Sequence, residues 1–342
     1  MKKIRVAING FGRIGRAFLK VAWDRPEIEI VAVNDLGDIA NMAYLLKYDT
    51  AYGKWKHENI AYEGADLIID NKKVKFLSEN DPTKLLWKDL EIDVVVESTG
   101  VFVTYEKAKV HLQAGAKKVV VTAPMKDNPK DAGVEGATIL LGVNEEYFGK
   151  CDITSNASCT TNAASPLIAI LDETLGIEKA LLSTTHALTN SQPTVDSINK
   201  HNIREGRAGG HNIVPTSTGA AIAVTKAIPN LEGLFDGISL RVPMITGSLV
   251  DVTFVSKKPT TKEEVNEILK KASKEKRWTN VFTVTEEPLV SSDILGSQYG
   301  SIADLALTRV VGGNLVKVLA WYDNEMGYTH TLVEHVVKVG NN

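Results

Sequence analysis

The residues with the clearest chemical potential lie at positions 155–162, which read Ser-Asn-Ala-Ser-Cys-Thr-Thr-Asn. Cys159 stands among small hydroxyl and amide side chains, and an apolar stretch with helical spacing follows from Ala164 to Leu171. We therefore expect the thiol at the start of a helix, where unpaired N–H groups and the helix dipole favour a thiolate. Such a thiolate is a nucleophile, and the same N–H groups can hold an oxyanion or a phosphate.

The alternative is that Cys159 is an inert core residue, since most cysteines behave as small hydrophobes. Its polar neighbours make this the weaker interpretation. Cys151 and Cys159 are the two cysteines of the 342-residue chain, and their spacing matches neither a zinc motif nor a disulfide framework. We therefore expect reduced thiols in a cytoplasmic protein without a metal site, and a structural role for Cys151.

His186 is the candidate base for this thiol. It follows a predicted strand at 180–185, which itself follows the predicted cysteine helix. An isolated histidine is more often structural than catalytic, but a Cys–His pair is a known nucleophile arrangement. The other histidines lack such a context; they are His57, His111, His201, His211, His330 and His335.

Two features of the second half favour anion binding. Residues 215–221 read Pro-Thr-Ser-Thr-Gly-Ala-Ala and precede an apolar helix, so hydroxyl and N–H groups could bind phosphate there or simply cap the helix. Arg241 follows a short predicted strand, Ile238 to Leu240, with apolar residues at both ends. A guanidinium in that position needs a partner, which could be a substrate phosphate or a buried carboxylate.

A separate binding pattern lies near the N-terminus, where residues 10–15 read G-F-G-R-I-G between an apolar strand and a helix. A second strand then leads to Asp35, and this order is typical of a dinucleotide-binding unit. Gly10 permits the tight turn, Gly12 lets the backbone approach a pyrophosphate, and Gly15 lets the helix pack on the strand. Asp35 would bond the ribose hydroxyls and repel a 2′-phosphate, which predicts NAD rather than NADP as cofactor.

The alternation of elements predicts an α/β protein with two domains. We expect a Rossmann-type doubly wound parallel sheet over residues 1–157. Within it, a hairpin is expected to be inserted at 54–79, and a continuous helix is expected at about 105–114. An α+β catalytic domain with a mixed or antiparallel sheet is expected over 158–324. A C-terminal helix at 325–342 is expected to pack back on the first domain.

Composition limits the classes of function. Its 44% hydrophobic and 24% charged residues are ordinary for a globular protein. The net charge of −3 provides no basic excess for binding nucleic acid. No run approaches membrane-spanning length, and the N-terminus lacks the apolar core of a secretion signal. We expect neither a nucleic-acid nor a membrane partner.

Taken in order, these motifs resemble those of phosphorylating glyceraldehyde-3-phosphate dehydrogenases over nearly the whole chain. The matching segments are I-N-G-F-G-R-I-G-R at 8–16, V-N-D at 33–35, S-T-G-V-F at 98–102, S-N-A-S-C-T-T-N at 155–162, T-H-A-x-T-N-x-Q at 185–192, P-x-S-T-G-A-A at 215–221, L-R-V-P at 240–243 and W-Y-D-N-E at 321–325. The resemblance implies NAD-dependent oxidative phosphorylation of D-glyceraldehyde 3-phosphate to 1,3-bisphosphoglycerate, in glycolysis and gluconeogenesis. It also implies a homotetramer, with a loop from about 190 to 214 at a subunit interface.

The same resemblance assigns roles to residues, with Cys159 as nucleophile and His186 as base. The candidate cofactor-binding residues are Gly10, Phe11, Gly12, Arg13, Ile14, Gly15, Asn34, Asp35, Ser98, Thr99, Gly100, Thr122, Asn324 and Tyr328. The candidate residues for the inorganic and substrate phosphates are Ser158, Thr160, Thr189, Arg204, Thr218, Gly219 and Arg241. An open alternative for Asn324 is that it only caps the C-terminal helix.

Two other functions remain open at this level. An erythrose-4-phosphate dehydrogenase shares the cysteine octapeptide but resolves its thioester with water instead of phosphate. An NAD-binding protein with an added interaction role is a possibility from another class, although intact Cys159 and His186 argue against catalytic silence. The complete Ser-Thr-Gly segment at 217–219 favours the phosphorylating enzyme.

Asp35 generates a prediction about cofactor choice. Its carboxylate would face the 2′-phosphate of NADP, and like charges within one site typically cost several kcal/mol. We expect kcat/KM with NAD to exceed that with NADP by at least a hundredfold, measured in steady state with both cofactors. Comparable values would mean that Asp35 turns away or that loop 197–212 supplies a compensating cation.

Overall fold

The computed structural model describes residues 2–200 and 202–342; Met1 and His201 lie outside the described residues. The chain divides into two compact units. The first comprises the chain through Ile139, Glu145–Ala157 and Leu332–Asn342, and the second comprises Leu140–Asn144 and Ser158–Thr331.

The first unit is built on an α/β pattern. Its elements in chain order are β1 (Ile4–Asn9), α1 (Arg13–Ala22), β2 (Ile28–Asn34), α2 (Ile39–Lys47), β3 (Tyr48–Asp49), β4 (Gly53–Lys54), β5 (Ile60–Glu63), β6 (Asp66–Ile69), β7 (Lys72–Leu77), β8 (Val94–Glu97), α3 (Tyr105–Ala108), α4 (Val110–Gln113), β9 (Lys118–Val121), β10 (Gly136–Thr138) and β11 (Ile153–Ser155). The main sheet has the order β10-β11-β9-β8-β1-β2-β7-β6-β5. From β10 through β7 all neighbours are parallel, which confirms the predicted Rossmann-type sheet.

The strand order reverses around β1, which pairs with β2 on one side and β8 on the other. In open parallel sheets, ligands bind at the carboxyl ends of the strands at such a switch point. Strand β8 reads Val-Val-Val-Glu and is buried throughout, as expected for a central strand covered on both faces. The glycine turn at 10–12 directly follows the carboxyl end of β1, so it begins at the switch point where a ligand site is expected.

Two local predictions for the first unit were wrong in detail. The region 54–79 is not an inserted hairpin, because β5, β6 and β7 form an antiparallel meander whose last strand pairs parallel with β2. The helix predicted at 105–114 is divided into α3 and α4 at Lys109. The Lys109 backbone (φ −61°, ψ −16°) is tighter than an α-helix, and its N–H is shared between the carbonyls of Tyr105 and Lys107.

The second unit carries a mixed sheet, as predicted. Its elements are α5 (Cys159–Leu175), β12 (Ile177–His186), β13 (Val214–Ser217), α6 (Ala220–Ala227), β14 (Phe235–Arg241), β15 (Ser248–Ser256), α7 (Lys262–Ala272), β16 (Phe282–Thr285), β17 (Ser301–Asp304), β18 (Arg309–Val311) and β19 (Leu315–Tyr322), and α8 (Met326–Asn341) ends the chain. The sheet order is β13-β14-β12-β15-β19-β17-β16, with β18 paired to β19. Helix α5 is buried along most of its length. Among the described residues, no helix has both the length and the apolar character required to cross a bilayer.

His335 forms a buried polar contact within the first unit. Its Nε2 is 2.8 Å from the Thr154 hydroxyl, and its Nδ1 is 3.2 Å from the Asn156 side-chain oxygen. Burial, aided by the charge of Lys338, lowers the pKa of this imidazole to about 3. Because the pKa is lower in the folded protein than the ordinary 6.5, the neutral ring contributes stability above pH 6.5 that is lost as the pH falls toward 3.

Replacing His335 with glutamine should therefore flatten the pH dependence of stability. Glutamine keeps a donor and an acceptor but does not titrate. Between pH 6 and 4, we expect the free energy of unfolding of the variant to fall by about 1.4 kcal/mol less per pH unit than that of the wild type. Urea unfolding across this range measures it, with the exposed His211→Gln as the matched control. Parallel curves for wild type and His335→Gln would contradict the prediction.

Candidate active site

Cys159 is the first residue of α5, so the thiol lies at a helix N-terminus as the sequence predicts. Ser158 caps the helix by accepting a 3.1 Å hydrogen bond from the Thr161 N–H, and its hydroxyl also lies 2.7 Å from that of Thr161. The preceding Ala157 has a left-handed backbone with φ of +53°. A short polar cap following this turn thus presents the sulfur at the helix start.

Two neighbouring strands bring a histidine and an arginine to the same sheet edge. Strands β12 and β14 pair parallel, with His186 directly opposite Arg241 at their carboxyl ends. The His186 Nε2 is 3.3 Å from the Cys159 Sγ, and the Arg241 Nη1 is 2.5 Å from the His186 Nδ1. Cys159, His186 and Arg241 therefore form one contiguous cluster within the second unit.

The protonation of this cluster is governed mainly by burial. Desolvation raises the pKa of the Cys159 thiol more than Arg241 and the hydrogen bonds at Thr160 lower it. Burial and the helix start therefore act in opposite directions on the pKa of this thiol, and the expected thiolate stays a prediction. Desolvation also lowers the pKa of His186 to about 3, and the Arg241 charge adds to the effect. Burial thus disfavours the charged forms of both the thiol and the imidazole, and Nε2 is placed to accept the thiol proton.

Two groups compete for the other imidazole nitrogen. The Ala187 carbonyl is 2.7 Å from the His186 Nδ1 and favours a proton there, which leaves Nε2 to accept the thiol proton. Arg241 is a permanent donor to the same nitrogen and favours the opposite tautomer, in which Nε2–H donates. Arg241 also donates to the Ala187 carbonyl at 3.2 Å. The surroundings therefore support both tautomers of His186, one in which Nε2 accepts a hydrogen bond and one in which Nε2–H donates. A residue that takes up a proton and later returns it needs both roles.

Arg241 itself is incompletely satisfied. Its Nε is buried without a hydrogen-bond partner among the described residues. Within the same residues no carboxylate forms an ion pair with it, so the alternative of a buried acidic partner finds no support. A guanidinium left in this state is suited to an incoming anion.

Sequence reasoning missed Tyr322, although it lies in the W-Y-D-N-E segment. Its buried hydroxyl is 2.9 Å from the Thr160 hydroxyl and 2.7 Å from that of Thr184. Its ring meets the His186 ring edge-on at 6.0 Å between centroids. Tyr322 thus ties the first turn of α5 to β12 and supports the orientation of both catalytic candidates.

Asn324 does not cap the C-terminal helix. That role belongs to Asp323, whose carboxylate accepts from the N–H groups of Glu325 and Met326 at 2.9 Å each. The Asn324 side-chain oxygen instead accepts from the Gly247 N–H at 3.1 Å and the Ser248 hydroxyl at 2.9 Å. Because the oxygen is held in this way, the amide NH₂ is the end that it can offer to a ligand.

Three other residues predicted to bind phosphate are not connected to Cys159 by any contact among the described residues. The Thr218 hydroxyl accepts from the Ala220 N–H at 3.2 Å, next to Gly219 at the N-cap of α6. Thr189 is exposed and bonded to Ser191 and Gln192. Arg204 is also exposed, on the short 3₁₀ turn Ile203–Gly206. No contact joins Thr189, Arg204 or Thr218 to Cys159 among the described residues, so their substrate roles stay predictions.

The first unit supplies a separate cradle at the glycine turn. Gly10 has φ of +93°, and a Cβ there would lie 2.7 Å from the Thr99 nitrogen. A Cβ on Gly15 would lie 2.1 Å from the Gly10 carbonyl, which is incompatible with any side chain. A Cβ on Gly12 would meet no described heavy atom within 4 Å, so the backbone is open there. The three glycines thus match the turn, packing and close-approach roles of a pyrophosphate site.

Asp35 lies beside this turn. One carboxylate oxygen accepts from the Phe11 N–H at 2.6 Å and the other from the Gly37 N–H at 2.8 Å. Ser98 closes the other side by donating to the Gly10 carbonyl at 2.6 Å. Arg13 forms an ion pair with Asp49 at 2.7 Å. The remaining cofactor candidates in this unit fall on or next to the same elements; they are Ile14 on α1, Asn34 on β2, Thr99 and Gly100 after β8, and Thr122 after β9.

Tyr328 is buried on α8, in a part of that helix that belongs to the second unit. In the described part of the chain, no group of three or more His, Cys, Asp or Glu side chains could hold a metal ion.

Comparison with known proteins decides the family. Residues 4–105 match the model for the glyceraldehyde 3-phosphate dehydrogenase NAD-binding domain, and residues 158–324 match that for its C-terminal domain. The glyceraldehyde-3-phosphate dehydrogenase 2 of Streptomyces avermitilis is 46% identical over 341 residues, covering 99% of each chain. The chain belongs to the glyceraldehyde-3-phosphate dehydrogenase family.

Proteins from other organisms are similar to this chain to nearly the same degree. The glyceraldehyde-3-phosphate dehydrogenase of Thermotoga maritima is 46% identical, covering 96% of this chain and 97% of its own. Glyceraldehyde-3-phosphate dehydrogenase 2 of Kluyveromyces marxianus is 43% identical, covering 99% of this chain and 100% of its own. The NAD-binding match includes the glycine turn and Asp35, so NAD is the cofactor of this family member.

The Arg241–His186 contact generates a prediction about proton affinity. Replacing Arg241 with leucine removes the adjacent positive charge, so the pKa of His186 should rise, by on the order of one pH unit. Histidine NMR between pH 5 and 8 should show a flat, neutral His186 signal in wild type and the onset of titration at the acid end in the variant. The control is Arg277→Leu, which removes an arginine paired with Glu173. A flat signal in Arg241→Leu would mean that desolvation alone holds the imidazole neutral.

Proposed function

We propose that this protein catalyses the oxidative phosphorylation of D-glyceraldehyde 3-phosphate to 1,3-bisphosphoglycerate with NAD, the glycolytic reaction of its family. The observation that carries this proposal is the Cys159–His186 contact at a helix N-terminus, with Arg241 adjoining it. A thiol, a base and an anion receptor in contact are what attack on a phosphorylated aldehyde requires.

The proposed chemistry starts with Cys159. Its sulfur attacks the aldehyde carbon while the thiol proton moves to the His186 Nε2. The imidazolium passes this proton on to the former carbonyl oxygen, which gives a hemithioacetal and leaves His186 neutral again. His186 then takes the hydroxyl proton as the carbon is oxidised to a thioester, and bound NAD supplies the hydride acceptor. Inorganic phosphate attacks the thioester, and Cys159 is released as the leaving thiolate. In this sequence the protein provides the nucleophile, the proton transfers and the positions of the reactants.

The phosphate groups are assigned to the cluster around Arg241 and the helix termini. We assign the C3 phosphate of the substrate to Arg241 and Thr189, supported by the unpartnered Nε of Arg241. Inorganic phosphate is assigned to Ser158 and Thr160 at the start of α5, together with Thr218 and Gly219 at the start of α6. Helix N-termini favour anions through free N–H groups and the macrodipole. Arg204, which is exposed, is the least supported of these assignments.

NAD is assigned to the glycine turn of the first unit, with Asp35 for the ribose hydroxyls. The space above Gly12 and the close packing at Gly10 and Gly15 support this assignment. In the second unit, the free amide end of Asn324 suits a carboxamide oxygen. We accordingly propose residues 1–157 as the NAD-binding domain, joined by the C-terminal helix 325–342, and 158–324 as the catalytic domain.

We also propose a cytoplasmic homotetramer that operates in both glycolysis and gluconeogenesis. Two free cysteines and no disulfide in the described residues are consistent with a reducing compartment. Loop and sheet surfaces expose large apolar side chains, with Ile198 at 95%, Ile203 at 87% and Leu181 at 66%. We assign these side chains to the subunit contacts of the proposed tetramer, which would cover them.

The decisive experiment compares two sugars with and without inorganic phosphate. We expect turnover of glyceraldehyde 3-phosphate to depend on phosphate and to exceed that of erythrose 4-phosphate. Cys159→Ser should keep NAD binding and lose turnover. A phosphate-independent preference for erythrose 4-phosphate would assign the water-resolved reaction instead. Turnover retained by Cys159→Ser would remove the thioester chemistry altogether.

Arg241→Leu extends the same assay to phosphate recognition. Loss of one charge-assisted, bidentate contact should lower kcat/KM for the phosphorylated aldehyde by on the order of 2–3 kcal/mol, mainly through KM. Unphosphorylated glyceraldehyde should lose much less. Equal losses for both substrates would indicate that Arg241 acts through His186 alone.

A further inference from the structure

A buried carboxylate lies directly behind the glycine turn, and nothing described so far uses it. Glu97 ends β8 and is 2% exposed. One of its oxygens accepts from the Thr99 N–H at 2.8 Å and the Thr99 hydroxyl at 2.5 Å. The other accepts from the Asn9 side-chain nitrogen at 2.6 Å and contacts the His111 Nε2 at 3.0 Å.

The tautomer of His111 follows from its other neighbour. The Trp87 indole N–H is a donor only, and it lies 3.2 Å from the His111 Nδ1. Nδ1 is therefore the acceptor, and Nε2 carries the proton that it donates to Glu97. Four donors then occupy the four lone-pair directions of Glu97, so each of its oxygens accepts two hydrogen bonds.

The network continues across the sheet edge. The Asn9 side-chain oxygen accepts from the Asn34 amide at 2.8 Å, and Asn34 in turn bonds both backbone groups of Glu79, at 2.9 and 3.0 Å. It therefore joins the carboxyl ends of β8, β1 and β2 and the segment after β7, which are consecutive strands of the sheet. This is the edge at which the glycine turn begins.

Glu97 also controls the position of the loop that touches this turn. Glu97 holds Thr99 by two hydrogen bonds. Thr99 packs tightly against Gly10, because a Cβ on Gly10 would lie only 2.7 Å from the Thr99 nitrogen. The intervening Ser98 donates to the Gly10 carbonyl at 2.6 Å. A shift of Thr99 would thus be transmitted to the backbone that approaches the pyrophosphate.

We propose that Glu97 is a positioning residue for the dinucleotide, oriented by His111 and Trp87, and that its role is expressed in cofactor affinity. The inference rests on the proposed function, because the ligand is taken to be NAD. Glu97 does not touch the cofactor in this proposal; it holds Thr99, Asn9 and the glycine turn in the binding geometry.

Glu97→Gln tests the inference with almost no change of shape. The new NH₂ group replaces one acceptor and faces donors, so either the Thr99 pair or the Asn9–His111 pair must separate. We expect the Kd for NAD, measured by calorimetry, and the KM for NAD to rise at least tenfold. We expect kcat at saturating NAD to stay within about threefold of wild type.

Two substitutions at His111 keep the test decisive if Glu97→Gln folds poorly. His111→Phe fills the space without donating, whereas His111→Gln can donate to Glu97 and accept from Trp87. The first should weaken NAD binding severalfold, and the second should restore most of the affinity. Equal affinity in the two variants would overturn the inference.

The matched control is Asp304→Asn in the second unit. Asp304 is also buried, and its carboxylate accepts from the Trp321 indole at 3.0 Å and the Ala306 N–H at 3.1 Å. This change should lower the thermal midpoint without altering the Kd for NAD. If Glu97→Gln behaves in the same way, Glu97 is merely structural. If wild type itself fails to bind NAD, the proposed function fails instead.

Discussion

The parallel, in-register pairing of β12 with β14 is the constraint on which the catalytic cluster depends. It sets His186 opposite Arg241 at the carboxyl ends of adjacent strands. Helix α5 packs on the same unit and starts at Cys159, so its first residue meets the imidazole at 3.3 Å. A slip of one residue in either strand would move its side chain to the other face of the sheet and separate the three groups.

Burial then determines the chemistry of this cluster. Desolvation raises the pKa of the Cys159 thiol against the effect of the local positive charge, and it lowers the pKa of His186. The helix N-terminus and Arg241 therefore act chiefly once charge develops, by stabilising the thiolate and the oxyanion that follow. Tyr322 contributes indirectly, because its hydroxyl links Thr160 on α5 to Thr184 on β12.

The two units use the same architectural device for different ligands. In each, side chains gather at strand carboxyl ends, and a helix begins beside them. The first unit supports its edge with a network of buried polar groups centred on Glu97, and the second with the hydroxyls of Tyr322 and Ser248. Buried polar networks of this type specify one arrangement because each member is costly to leave unsatisfied.

The sequence by itself determined what depends on local pattern. The glycine spacing at 10–15 and the alternation of strands and helices were sufficient for the fold class and the cofactor. The family followed from the resemblance of the motifs along the chain. These features are legible because turn, cap and periodicity rules act between residues that are near in the chain.

Tertiary structure decided the features that depend on distant partners. The raised pKa of Cys159 was not predictable, since it arises from burial by the surrounding unit. His111 was set aside as a histidine without context, yet it is paired with Glu97 from another strand. Asn324 and Asp323 have adjacent positions, and only their long-range contacts separate the ligand-facing amide from the helix cap. Desolvation and cross-strand contact are properties of the folded chain, and no short segment encodes them.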